Sequence, residues 1–162
     1  MRIPALAATP ILLCACLVLV ACGGGSSTSP SGTSTAQLQS ADVRVDGVSV
    51  TAKTIAAGSG QTTLFMATLA DPTQRVHVRQ MMLDYPQHNM GMMGGTLTVN
   101  LYDDGTHGDQ TANDGTYCYL DVNEHIGPHL ADCPHGVYSY RFHGQDDQGM
   151  TTNTLQCQVT VQ

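Results

Sequence analysis

The C-terminal stretch Leu155-Gln156-Cys157-Gln158-Val159-Thr160-Val161-Gln162 alternates apolar and polar residues without a break. Successive side chains of an extended strand point to opposite faces, so this run forms a strand with one face in a core and one in water. Six earlier runs carry the same period. Val43 and Val45 alternate with polar neighbours, and after Asp46-Gly47 the pattern resumes at Val48 and Val50, a strand broken by a turn or bulge. Thr62 to Leu69 follows Gly58-Ser59-Gly60, and Arg75 to Tyr85 sets Val76, Val78 and Met82 in one phase. Leu97, Val99 and Leu101 alternate with Thr96, Thr98 and Asn100. Thr116 to Val122 sets Cys118, Leu120 and Val122 in one phase, and Tyr138, Tyr140 and Phe142 oppose Ser139, Arg141 and His143. Seven short strands with Gly, Asp and Pro turns between them predict an all-β fold, a seven-stranded antiparallel sandwich, with a small barrel as the competing closure.

The acidic residues agree with that reading. Glu124 is the single glutamate among thirteen acidic residues. Asp favours turns and loops while Glu favours helices, so the chain lacks the material of surface helices. There is no Trp, so the core rests on Val, Leu, Met and the Tyr138-Tyr140-Phe142 face.

The N-terminus carries an address. Met1-Arg2-Ile3 supplies one positive charge, and Pro4 to Val20 is apolar or small, with Leu12, Leu13, Leu17, Val18, Leu19 and Val20 at its centre. A charged start and a short apolar middle match a secretory leader, at the short limit for a membrane span. Leu19-Val20-Ala21-Cys22 resembles the bacterial lipobox, in which small residues precede an obligatory cysteine. That resemblance implies cleavage before Cys22, a lipid on its thiol and anchoring at a cell membrane. With Gly23 rather than aspartate next, the outer membrane is implied where the source has two. Residues 1–21 are then leader and 22–40 the lipidated Cys and tether, whose Gly23–Thr35 part reads GGGSSTSPSGTST, too polar to fold. Residues 41–162 form the domain. Loss of Arg2 leaves five basic residues against thirteen acidic ones, a formal charge of −8. Such a balance excludes a nucleic-acid partner, because phosphate binding needs a basic surface.

Two segments resemble bacterial immunoglobulin-like domains. Gly136-Val137-Tyr138-Ser139-Tyr140-Arg141-Phe142, followed by Asp146-Asp147-Gln148-Gly149, resembles their penultimate strand and turn. DDGTHGDQTANDGTY, from Asp103 to Tyr117, resembles a recurrent Asp-Asp-Gly, Gly-Asp, Asp-Gly-x-Tyr segment of the same domains. The resemblance implies a β-sandwich of the immunoglobulin type and no particular activity, since such domains serve as stalks, spacers and binding modules alike.

The Asp-rich segment supports two readings. Asp103, Asp104, Asp109 and Asp114 are candidate calcium ligands, because a long Gly-Asp loop curls carboxylates and carbonyls around a hard cation. It is not an EF-hand: starting at Asp109 puts Asp114 where that loop needs glycine and Leu120 where it needs a bidentate Glu. The other reading is turn chemistry without metal. If strands alternate up and down, Asp71, Asp146 and Asp147 share this end, and seven Asp converge. The opposite end gathers His88, Met90, Met92 and Met93 with His125, His129 and His135, soft and imidazole ligands that suit copper or zinc. Met as core filler competes with that reading, and Gly127-Pro128 prevents a helix from stacking His125, His129 and Cys133.

Once Cys14, Cys16 and Cys22 are accounted for, Cys118, Cys133 and Cys157 sit in an oxidising compartment. Cys118–Cys133 is the favoured pair and Cys118–Cys157 the alternative, which leaves one thiol over. No catalytic motif occurs: there is no Gly-x-Ser-x-Gly elbow, no His-Glu-x-x-His and no phosphate-binding glycine loop. The expectation is therefore a membrane-anchored, non-enzymatic binding or structural domain in the periplasm or at the cell surface, its envelope protein or glycan ligand unspecified. Calcium is its candidate ion, and copper or zinc binding is the alternative role.

Overall fold

The computed structural model describes residues 33–89, 92–124 and 126–162, so the leader, Cys22 and most of the tether lie outside the described residues. Nine strands and one short 3-10 helix occur in them: β1 (Leu38–Val45), β2 (Val48–Ser49), β3 (Lys53–Ile55), β4 (Thr63–Leu69), η1 (Pro72–His77), β5 (Val78–Asn89), β6 (Met92–Leu101), β7 (Thr116–Asp121), β8 (Gly136–Asp146) and β9 (Leu155–Val161). They form a four-stranded sheet in the order β2-β1-β4-β7 and a five-stranded sheet in the order β3-β9-β8-β5-β6. Every pairing is antiparallel except β3 with β9. The fold is all-β and sandwich-like. Its count exceeds the expected seven because two short edge strands, β2 and β3, flank the longer ones.

One apolar core joins the inner faces of both sheets. Val43, Phe65 and Ala67 come from the first, and Leu83, Tyr138, Tyr140, Phe142 and Val159 from the second, all fully buried. Phe65 meets Tyr140 across the layers at a ring-centroid distance of 4.9 Å, a tilted contact of the kind aromatic pairs prefer. The turn after β1 is tight: Asp46 and Gly47 both have positive φ (47° and 82°) and let Val45 pair directly with Val48. That is the two-residue hairpin geometry which Asp-Gly favours.

Three expectations are corrected. Residues 75–77 belong to η1 rather than to a strand, with Asp71 capping the helix through the Thr73 N–H (2.9 Å). The inward phase of β5 is Met81 and Leu83, and Val76 is 70% exposed. Met81 and Met82 are adjacent and both apolar, so the run reads equally in either phase, and pairing of Leu83 with Phe142 decides it. In β7 the inward residues are Tyr117, Tyr119 and Asp121, so the phase of Cys118 and Leu120 points out of the core.

The fold also begins earlier than residue 41. Thr33 bridges Thr151, Ser34 donates its N–H to the Thr151 carbonyl (2.8 Å), and Ser34, Ala36 and Leu38 are buried. Asn153 holds Leu38 by accepting its N–H and donating to its carbonyl. A Ser/Thr/Ala segment looks like linker by composition, yet here its backbone groups find partners and its small side chains fit against the sheet edge. The chain therefore enters the sandwich at the end that carries η1, the β6–β7 loop and the β8–β9 turn.

Candidate functional site

The β6–β7 connection, residues 102–115, is built by its own aspartates. Asp103 accepts the N–H groups of Asp114 and Gly115, both at 3.0 Å. Asp109 accepts those of Gly105 (2.7 Å) and Thr111 (3.1 Å), and Asp114 that of Thr116 (2.8 Å). Asp104 accepts the Thr106 hydroxyl and N–H, which hold its carboxyl below the usual range. The Asp104, Asp109 and Asp114 bonds to Thr106, Thr111 and Thr116 close short Asp-led turns, the local chemistry that makes Asp a loop residue, while Asp103 ties the start of the loop to its end. Gly105, Gly108 and Gly115 take positive φ (76°, 88° and 84°), where side-chain-bearing residues are strained. At Gly108 the approach is close as well, since a Cβ there would stand 2.5 Å from Leu64 Cδ1.

That approach seats the loop on the outer face of β4 and β7. Beneath it lies a cavity of about 260 Å³ lined by Arg44, Leu64, Met66, Asp109, Asp114 and Cys118. His107 anchors the other flank by stacking on Tyr102 at 4.1 Å. From η1, the Arg75 guanidinium reaches the Asn113 carbonyl and side chain and stands 3.9 Å from Asp103.

Three of the four candidate calcium ligands converge. Asp103, Asp109 and Asp114 each offer a carboxylate oxygen, and these oxygens all lie within 4.8 Å of one another. Asp109 is 7% exposed, Asp103 intermediate and Asp114 exposed. Asp104 is not in the group, because its carboxylate turns to Thr106. The seven-Asp convergence does not form either. Asp71 caps η1, and Asp146 accepts the N–H groups of Gln148 and Met150 in its own turn. Among the described residues, this trio is the only set of three or more His, Cys, Asp or Glu side chains placed to share an ion. An ionised carboxylate has about four lone-pair sites, so backbone bonds to each Asp leave acceptor capacity for a cation.

The opposite end differs from the expected Met/His loop. β5 and β6 stay paired through His88 opposite Met93 and Asn89 opposite Met92, whereas β8 accompanies β5 only as far as Asp84. Residues 85–89 and 92–97 are thus a two-stranded ribbon beyond the sheet, not a loop. Met90 and His125 lie outside the described residues. His135 is exposed just before β8, while His129 is fully buried. His129 Nδ1 sits 2.8 Å from Thr63 Oγ1 and 3.8 Å from Asp121 Oδ2. That nitrogen is engaged within the fold.

Asp121 is the residue that sequence reasoning passed over. Fully buried, it accepts four backbone N–H groups: Asn123 (3.2 Å) and Glu124 (2.7 Å) on Oδ1, Ile126 (3.1 Å) and Gly127 (2.6 Å) on Oδ2. It organises the 122–135 loop. At Gly127 a Cβ would stand 2.2 Å from Thr63 Oγ1, so the backbone comes within reach of Asp121 only because no side chain intervenes. The available signal was an acid in phase with Tyr117 and Tyr119, followed by Ile126-Gly127-Pro128. Above this network a cavity of about 410 Å³ opens between residues 58–62 and 122–131, with His129 and Leu130 in its lining.

The expected Cys118–Cys133 bond is not formed: Cys118, Cys133 and Cys157 are all free and buried. Cys133 and Cys157 belong to the core, whereas Cys118 faces the Asp-rich loop across the sheet. A disulfide joins Cα atoms only about 4.4–6.8 Å apart with converging Cβ vectors, which opposite faces of a strand prevent. Burial, followed by the charges of Asp109, Asp114 and Asp103, pushes the Cys118 thiol up to about 12. That makes it a poor nucleophile.

No protein-family model and no curated protein matches the chain. Among the described residues no helix is long and apolar enough to cross a membrane.

Proposed function

We infer that the chain is a lipid-anchored envelope protein whose folded part is a non-enzymatic, immunoglobulin-like sandwich with a calcium ion on its Asp-rich loop. The convergence of Asp103, Asp109 and Asp114 within 4.8 Å carries the calcium reading. Carboxylates brought that close repel unless a cation or solvent relieves them, and oxygen donors from a Gly-rich loop suit a hard ion that takes six to eight ligands. The strand order supports the immunoglobulin type. β1-β4-β7 are neighbours as A, B and E, and β5-β8-β9 as C, F and G, with β6 beside C as in variable-type sandwiches. The Leu19-Val20-Ala21-Cys22 lipobox supports the anchor. The tether from Cys22 to the docked Thr33 spans at most about 40 Å, so a lipid there keeps the Asp-rich end within that distance of the bilayer.

Thermal melts of the mature protein test the ion. Calcium raises the melting temperature with the logarithm of its concentration above the dissociation constant, adding about 2.7 kcal/mol of stability at a hundred times that constant. Asp114→Asn, which keeps the fold because Asp114 is exposed, abolishes the rise. No shift with calcium, or an equal shift in the variant, refutes the ion. Failure of Cys22→Ser to release the protein from membranes refutes the anchor separately.

A further inference from the structure

β6 is the outermost strand of the five-stranded sheet, and its free side is a run of unpaired backbone. Which groups face outward follows from the ladder with β5. Pro86 stands opposite Thr96 and has no N–H, so the pairs that exchange hydrogen bonds are Leu97 with Tyr85 and Val99 with Leu83. The N–H and C=O groups of Thr96, Thr98 and Asn100 therefore point away from β5. Tyr102, next in the same phase, confirms the direction: its N–H and C=O pair with Cys118 of β7 at 2.9 and 2.8 Å. Three residues remain without a strand partner among the described residues.

Sandwich proteins protect such edges with short strands, charged side chains, proline or bulges. Here the two-residue β2 and three-residue β3 are short. β6 has ten residues, no charge and no proline, and Thr96, Leu97, Thr98 and Asn100 are exposed. β6 carries no charge of its own, and the nearest, Asp84 behind Thr98 (2.6 Å), is offset by Arg141 at 3.2 Å, so in a chain of net charge −7 a second copy can approach this edge without meeting an unpaired charge.

We propose that β6 is a self-association edge, pairing antiparallel with β6 of a second copy about a two-fold axis at Thr98. The sequence around that axis is self-complementary. Thr98 faces Thr98, Thr96 faces Asn100, and Leu97 faces Val99 on the same side of the joined sheet. Thr–Thr and aliphatic cross-strand pairs are stabilising, and about six backbone hydrogen bonds close the outward groups of both copies. Leu97, 42% exposed although its phase is inward, gains a second apolar neighbour on the side away from Tyr85. A two-fold contact of this kind is closed and does not propagate.

The test uses cysteine capture in the mature protein, which on the proposed reading has lost Cys14 and Cys16 with the leader and carries lipid on Cys22, and whose domain thiols are buried. Thr98→Cys gives a disulfide-linked dimer on non-reducing gels. Leu120→Cys, exposed on the other sheet, does not. In solution the mature protein shows doubled mass by light scattering. Thr98→Pro, which removes an outward N–H along with the hydroxyl bond to Asp84 that Thr98→Val also loses, and Thr98→Lys, which doubles a charge at the axis, return it to the monomer mass. Thr98→Val keeps the N–H and keeps the dimer. Three results overturn the proposal: a wild-type monomer throughout the micromolar range, a dimer that survives both Pro and Lys, or equal capture at residues 98 and 120. A different strand on this edge, from another protein, would appear as the first of these.

Discussion

Replacing Asp121 by Ala isolates the one buried carboxylate on which a whole loop depends. Its four donors divide by environment: Asn123 and Glu124 are exposed and regain water, whereas Ile126 and Gly127 are buried and cannot. An unsatisfied buried donor costs roughly 1–3 kcal/mol, so the two inaccessible groups set the loss at about 2–6 kcal/mol. A domain of this size has about 5–15 kcal/mol in total, so the variant stays folded at low temperature and melts early. Urea denaturation supplies the number, and hydrogen exchange supplies the location, with protection lost first at residues 126–127. Asp121→Asn is the discriminating partner. It keeps the volume and one acceptor oxygen but turns an amide N–H₂ toward two donors, and it recovers less than half of the loss. A destabilisation below about 1 kcal/mol for the Ala variant would falsify the claim that Asp121 organises the loop.

Thiol chemistry separates the free-cysteine description from the paired one. Cys118, Cys133 and Cys157 resist alkylation in the folded protein and all react after denaturation without reductant, and a mass lower by two hydrogens would show a bond instead. Asp84 gives a pH signature. Burial raises its pKa, but bonds from Thr98 and His143 and the charges of His143 and Arg141 outweigh that and leave it below 3.8. Its stabilising contribution is therefore full above 3.8 and is lost as pH falls through the depressed folded value. Asp84→Asn flattens the stability curve in that acid range, and parallel acid-unfolding curves for wild type and variant would refute the assignment.

Where one face of a strand is buried and the other wet, alternation alone identified strand and phase. Tyr138-Tyr140-Phe142 and Cys157-Val159-Val161 lie in the core as their spacing requires. The turns of the Asp-rich loop were legible too, because Asp104, Asp109 and Asp114 set them through bonds two residues away, within reach of local reading, whereas the Asp103 closure across the loop was not. β5 and β7 were not. β7 is covered on both sides, by the core and by the loop seated on its outer face, so both of its phases are apolar and the pattern loses its direction.

Sequence by itself determined the strand-rich architecture and the turn-forming composition of the Asp-rich loop, both of which depend on neighbours along the chain. Tertiary structure alone decided that Asp103, Asp109 and Asp114 meet while Asp104 turns away, that Asp121 is the buried hub of the opposite loop, and that Cys118 stands across the sheet from the other thiols. Each of those outcomes depends on which groups a loop or facing sheet brings within a few ångströms. A strand shifted by one residue would reverse them without changing its composition.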